Sequence, residues 1–204
     1  MERMSGTEPF QYPEHPHCRK HGPEYTDPAD YTDWLRDEFD FRCVYCMSRE
    51  SWSRPRAVWA VEHLIPRKER PDLATEYTNL VLACAQCNSH KSSYADMPDP
   101  CKQAYGKLVS VSADGTITHH SREGLRLIRI ASLDDADATE WRRKEIATTR
   151  NHKANDPAEY LKRMAFPTDL PDLANRRVKN NSKPQGAKQC RFEQNKQGTL
   201  PPTY

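Results

Sequence analysis

Two pairs of cysteines stand at matched spacing, Cys43-Val44-Tyr45-Cys46 and Cys84-Ala85-Gln86-Cys87. Two intervening residues let both thiolates of a pair reach one tetrahedral Zn²⁺, and two such pairs complete a closed Cys₄ shell. A closed shell has no position for water, so a zinc held by Cys43, Cys46, Cys84 and Cys87 is structural rather than catalytic. The segment between the pairs is longer than the ~15–20 residues of common paired-CxxC modules, so it must fold as a unit of its own. Cys18, Cys101 and Cys190 have no paired spacing and read as ordinary buried or surface thiols. His15, His17, Cys18 and His21 form only a loose group in a polar segment and make a weak metal candidate.

The segment between the pairs contains Glu62-His63-Leu64-Ile65-Pro66 and Tyr77-Thr78-Asn79-Leu80, and the second pair continues into Asn88-x-x-Lys91. Imidazole, with an ordinary pKa near 6.5, suits proton abstraction around neutral pH. Carboxylate and amide oxygens suit a hard cation such as Mg²⁺. Taken singly, each residue has a plainer reading: His63 as a packed histidine, Asn79 as a turn residue, Asn88 as a helix-start residue. Lys91, Arg67 and Lys68 would likewise be solvated charges.

Together, in this order, these residues resemble the HNH (ββα-metal) endonuclease family over about Phe39 to Ser93. The resemblance implies a general base at His63 that activates water, and a catalytic divalent cation, Mg or Mn, held by Glu62 and Asn88. It also implies that Asn79 fixes the loop and orients His63. Glu62 stands where the family more often has Asp, one methylene shorter. The implied activity is metal-dependent hydrolysis of phosphodiester bonds in DNA. Two alternatives remain: a non-catalytic, zinc-stabilised nucleic-acid-binding module, and an effector subunit of a defence or restriction system that acts with a protein partner.

These residues need elements to position them. If Cys84 to Lys91 is partly helical, the cysteines share a face at three-residue spacing. Asn88 then turns away by a further ~100°, alongside Lys91, whose ammonium is expected to be free for a phosphate. Ala57 to Val61 is a β-prone run that leads to His63, and Tyr77 to Ala83 is a second apolar run that leads into Cys84. Upstream, Asp27-Pro28 reads as helix N-cap and first helical residue, with Tyr31, Trp34, Leu35 and Phe39 as the buried stripe. Downstream, Lys107 to His119 alternates around Asp114-Gly115, a hairpin signal, and Asp134 to Arg150 reads as a helix with acids early and bases late.

The expected fold class is α+β, a small ββα-metal domain stabilised by zinc. Its expected organisation is an irregular extension over 1–28, the nuclease domain over 29–98, an accessory hairpin and helix over 99–166, and a disordered basic tail over 167–204. Composition agrees with a modest core: 36% of residues are hydrophobic and 16 are proline, with a mean hydropathy of −0.98. A bound metal is the usual remedy for so small a core. Net charge is only +2, yet bases outnumber acids from Arg42 to Arg70 and again from Arg176 onward. That distribution suits a polyanion, although charge alone fits a solubilising surface at least as well. No stretch approaches the ~20 apolar residues that span a bilayer, and Met1 to Pro16 is polar, so the expectation is a cytoplasmic protein with no membrane partner.

Overall fold

The computed structural model describes residues 4–5, 7–20, 22–52, 59–176 and 184–204. Ala57, Val58, His21 and residues 177–183 of the expected tail lie outside that description. Mixed helices and small sheets make up the rest, as an α+β chain requires. Strands β1 (Met4–Ser5) and β2 (Tyr12–Pro13) pair near the start. A 3-10 turn, Pro28–Tyr31, then leads into helix α1, Thr32–Glu38. Asp27 caps that turn, its Oδ1 accepting from the Ala29 N–H at 2.9 Å, and Pro28 supplies the first helical φ.

The central unit is the antiparallel pair β3 (Trp59–His63) and β4 (Leu80–Cys84), followed by helix α2 (Ala85–Lys91). Register runs from Trp59 opposite Cys84 to His63 opposite Leu80. Leu80, Val81, Leu82 and Ala83 are all fully buried, because α1 packs on β4 and α2 packs on both strands. A strand covered on both faces reads as an unbroken apolar run, as this one does. Strand β4 starts at Leu80 rather than Tyr77, since Tyr77–Asn79 is a 3-10 turn; that turn brings Asn79 back over the loop that follows β3.

Beyond this unit come α3 (Tyr105–Leu108) and the hairpin β5 (Val109–Val111) and β6 (Ile117–His119). Gly115 has φ of +85°, as its turn position requires. Its carbonyl accepts from the buried Arg142 Nε at 2.7 Å, which ties the hairpin to a long helix. That helix is α5, Ala136–Asn155, capped by Asp135. Helices α4 (Arg122–Ile130) and α6 (Pro157–Met164) flank it; of the three, only α5 is expected from the sequence.

The expectation of a disordered tail over 167–204 is corrected in its described parts. Leu173, Ala187 and Cys190 are buried against Trp34, and α7 spans Arg191–Lys196. The Arg191 N–H donates to Asp37 Oδ1 at 2.6 Å. Tyr204 stacks on Phe166, 4.4 Å between ring centroids. The tail has too few apolar residues to show a period, but each of these few fills a hollow on the domain, and burial, not periodicity, orders the segment.

Candidate zinc centre and candidate active-site cleft

The two cysteine pairs meet across the end of the β3–β4 sheet. The first sits in a tight knuckle in which the Met47 N–H donates to the Cys43 carbonyl and the Cys43 N–H to the Ser48 carbonyl. Met47 takes a φ of +62° to close the knuckle. The Val44 N–H donates to the Leu82 carbonyl at 3.0 Å, pinning the knuckle to β4, while Tyr12 Oη donates to the Tyr45 carbonyl at 2.7 Å. The second pair lies at the junction of β4 and α2, where Cys84 is the helix N-cap and its Sγ accepts from the Cys87 N–H.

All four Sγ atoms lie within 4.8 Å of one another, and Cys46 and Cys84 are 3.8 Å apart. Zn–S bonds of ~2.3 Å in a tetrahedron place sulfurs ~3.8 Å apart. The cluster therefore fits a zinc site. Bare thiols are poorly suited to this crowding: hydrogen bonding from its three neighbours drives Cys84 far below the ordinary thiol range, and the same contacts push Cys46 and Cys87 well above it.

A cleft of about 550 Å³, whose lining includes none of these cysteines, is lined by Glu62, His63 and Asn88, with Asp27, Thr32 and Arg67 at its other walls. His63, at the end of β3, is half-buried, and its Nε2 lies 2.8 Å from the Ala74 carbonyl. A carbonyl only accepts, so Nε2 carries the proton and Nδ1 keeps its lone pair. Burial lowers the His63 pKa, and the charges of Arg67 and Lys91 lower it further, against the opposing hydrogen bond to Ala74. The neutral imidazole is therefore the form favoured at neutral pH.

Asn79 is buried and bridges the loop after β3. Its Oδ1 accepts from the Ile65 N–H at 2.9 Å, and its Nδ2 donates to the carbonyls of Ile65 and Leu73 at 3.0 and 3.2 Å. Leu73 precedes the residue that holds His63, so Asn79 fixes the imidazole's anchor without touching the ring. Asn88 projects from α2 into the cleft wall, and its amide makes no hydrogen bond among the described residues.

Lys91 departs from expectation. Its side chain is fully buried, and Nζ donates to Glu62 Oε1 at 2.9 Å and to the His63 carbonyl at 2.6 Å. The ammonium expected to be free for a phosphate is instead bound beneath the strand. Glu62 in turn is 6% exposed, and burial pushes its pKa up while Lys91, the His63 N–H and Arg67 pull it down. The Glu62 carboxylate thereby ties β3 to α2 through Lys91.

Sequence reasoning missed two parts of this arrangement. The Ala74 carbonyl is backbone and carries no side-chain signal. Asp27 carries the sequence signal of a helix cap, which it is, but packing of the same segment against β3 also brings it to the cleft.

No curated protein matches the chain. Residues 43–93 match the family model described as HNH endonuclease; that span holds both cysteine pairs, His63, Asn79 and Asn88, and it constitutes an HNH endonuclease domain within the 204 residues.

Proposed function

We propose that this chain is a metal-dependent endonuclease that hydrolyses phosphodiester bonds in DNA, with His63 as general base. The observation that carries this reading is the His63 side chain itself, anchored through Nε2 to the Ala74 carbonyl, with Nδ1 unprotonated in a cleft that Glu62 and Asn88 also line.

Glu62 and Asn88 offer the hard oxygens that suit Mg²⁺ or Mn²⁺, and their place beside His63 fits such an ion. Bound there, a divalent cation would neutralise charge developing on the phosphate and on the leaving oxygen. His63 Nδ1 takes a proton from the attacking water as its oxygen bonds to phosphorus. The bond from phosphorus to the leaving deoxyribose oxygen breaks, and that oxygen takes a proton from solvent. His63⁺ then returns its proton to water. Asn79 keeps the imidazole at the angle this transfer needs, and Arg67 at the cleft wall attracts the phosphate. Lys91 acts through Glu62 as a positioning residue.

One observation favours a second reading. The Lys91–Glu62 pair already engages one oxygen of the carboxylate assigned to the cation, which is what a zinc-stabilised binding module without catalysis would tolerate. Incubation of supercoiled plasmid with the zinc-loaded protein and Mg²⁺ or Mn²⁺ separates the two. Nicking by the wild type that falls about 10²–10⁴-fold in His63→Ala is expected for a lost general base. Retarded migration in a gel-shift assay without any cleavage would establish the binding module instead.

A further inference from the structure

Helix α4 lies outside the residues that match the HNH endonuclease family, and none of its residues lines the cleft of His63. Its nine residues sort by face. At ~100° per residue, the buried Gly124, Leu127 and Ile128 fall within an arc of ~100°, and Arg122, Arg126 and Arg129 within one of ~60° directly opposite. Burial agrees with that division: Arg122 and Arg129 are exposed and Arg126 is half-buried.

The apolar face is seated firmly. Ser121 caps the helix, its Oγ accepting from the Gly124 N–H at 3.0 Å. A Cβ at Gly124 would meet the Leu108 carbonyl, so α4 lies hard against the end of α3. The arginine face, in contrast, is unanswered. Arg36, Arg70, Arg143, Arg163, Arg176 and Arg191 each pair with a carboxylate. The side chains of Arg122, Arg126 and Arg129 form no hydrogen bond, ion pair or ring contact among the described residues. Glu123, the one acid of the helix, stands ~100° round from Arg122 and pairs with none of them. Like charges four residues apart weaken a helix, so this row of three is a local cost that a polyanion would relieve.

We propose that α4 is a second docking surface for duplex DNA, its three arginines each taking a phosphate of one strand. The stripe runs ~10 Å along the helix axis, at ~1.5 Å per residue. A DNA strand rises ~3.4 Å per phosphate, so the stripe reaches across about three of them. The planar fork of arginine matches phosphate oxygens. Helix α4 carries no aromatic residue, whereas binders of single strands stack bases on aromatic side chains; the surface grips backbone and reads no base. That the polymer is DNA rests on the nuclease reading above, but the grip itself does not require cleavage.

Fluorescence anisotropy of a labelled duplex with the zinc-loaded full chain tests it across ~50–200 mM salt, without Mg²⁺ or Mn²⁺ so that no strand is cut. Each phosphate contact steepens the fall of log affinity with log salt by ~0.9. Arg122→Gln with Arg126→Gln and Arg129→Gln should therefore flatten the slope by about 2–3 and weaken binding about tenfold or more at the low end. Should that triple variant fail to fold, Arg122→Gln and Arg129→Gln singly should each take ~0.9 from the slope. Lys102→Gln with Lys162→Gln and Lys196→Gln removes as many charges from exposed sites elsewhere and should change the slope by less than ~1. Absence of duplex binding overturns the proposal, as does a wild-type slope in the α4 variants. Equal flattening by the lysine variant also overturns it, since net charge would then be the cause. A single strand bound as tightly as the duplex, and weakened as much by the α4 variant, overturns the assignment to a duplex. Protein that binds duplex through α4 yet never nicks plasmid would sink the nuclease reading and leave this surface standing.

Discussion

Lys91→Met is the substitution whose cost follows most directly from the structure. It keeps most of the side chain's volume and removes one charge from a pair in which neither partner is more than 7% exposed. At 2.9 Å and an effective dielectric of ~20, two unit charges attract by about 6 kcal/mol before desolvation is subtracted. The variant also strips a donor from the His63 carbonyl and strands Glu62 as an uncompensated buried carboxylate. Removing one member of a buried pair typically costs about 3–5 kcal/mol, and that is the loss expected here, read from urea unfolding of zinc-loaded protein. Replacing both partners, as Lys91→Met with Glu62→Gln, leaves no stranded charge and should recover at least about 1–2 kcal/mol of it. A single variant within about 1 kcal/mol of wild type, or a double variant no more stable than the single, would refute the claim that Lys91 is bound beneath the strand and not free for substrate.

The other expectations follow from the same geometry. Because burial and nearby cations hold the His63 pKa below 6.5, cleavage should rise with pH through a midpoint under that value and be flat above it; a midpoint above 7 would show that the imidazole is not in this environment. Asn88→Ala should lower cleavage while leaving zinc content unchanged, with partial recovery at raised Mn²⁺, and loss of zinc on elemental analysis would contradict the separation of the two sites. Cys43→Ser should remove one of four zinc ligands and cost a large part of the folding free energy, since structural zinc contributes on the order of 10 kcal/mol in small domains; folded, stable protein free of zinc would defeat that reading.

Residues that act through type and spacing were legible in the sequence. The cysteine pairs announce their cluster because CxxC geometry is local, and the four Sγ atoms meet as that spacing requires. Asp27-Pro28 and Asp114-Gly115 mark a helix start and a hairpin because capping and positive φ are local as well. What was not legible depends on long-range packing. Lys91 looked like a solvated charge because its partner is a residue of β3, far off in sequence. The tail looked disordered because burial of Leu173 and Cys190 against Trp34 leaves no period to read. The Ala74 carbonyl that sets the His63 tautomer has no signature in any sequence.

Helix α2 shows why a zinc centre and an oxygen-lined cleft can share so short a segment. It is only seven residues long, and its first turn belongs to the thiols: Cys84 caps it and Cys87 follows at three-residue spacing. One residue further, a rotation of ~100° carries Asn88 off that face, to the cleft that Glu62 and His63 also line. Lys91, three residues beyond Asn88, reaches back under β3 to Glu62. A zinc among the four thiols at the N-terminal end and the ion pair at the C-terminal end would thus fix the same short helix at two points. A helix of this length has little stability of its own, so the placement of Asn88 rests on those two anchors. Loosening either should move the amide even though neither touches it. A zinc there would be structural in the sense of holding a cleft residue in register, with Lys91 as its counterpart at the opposite end.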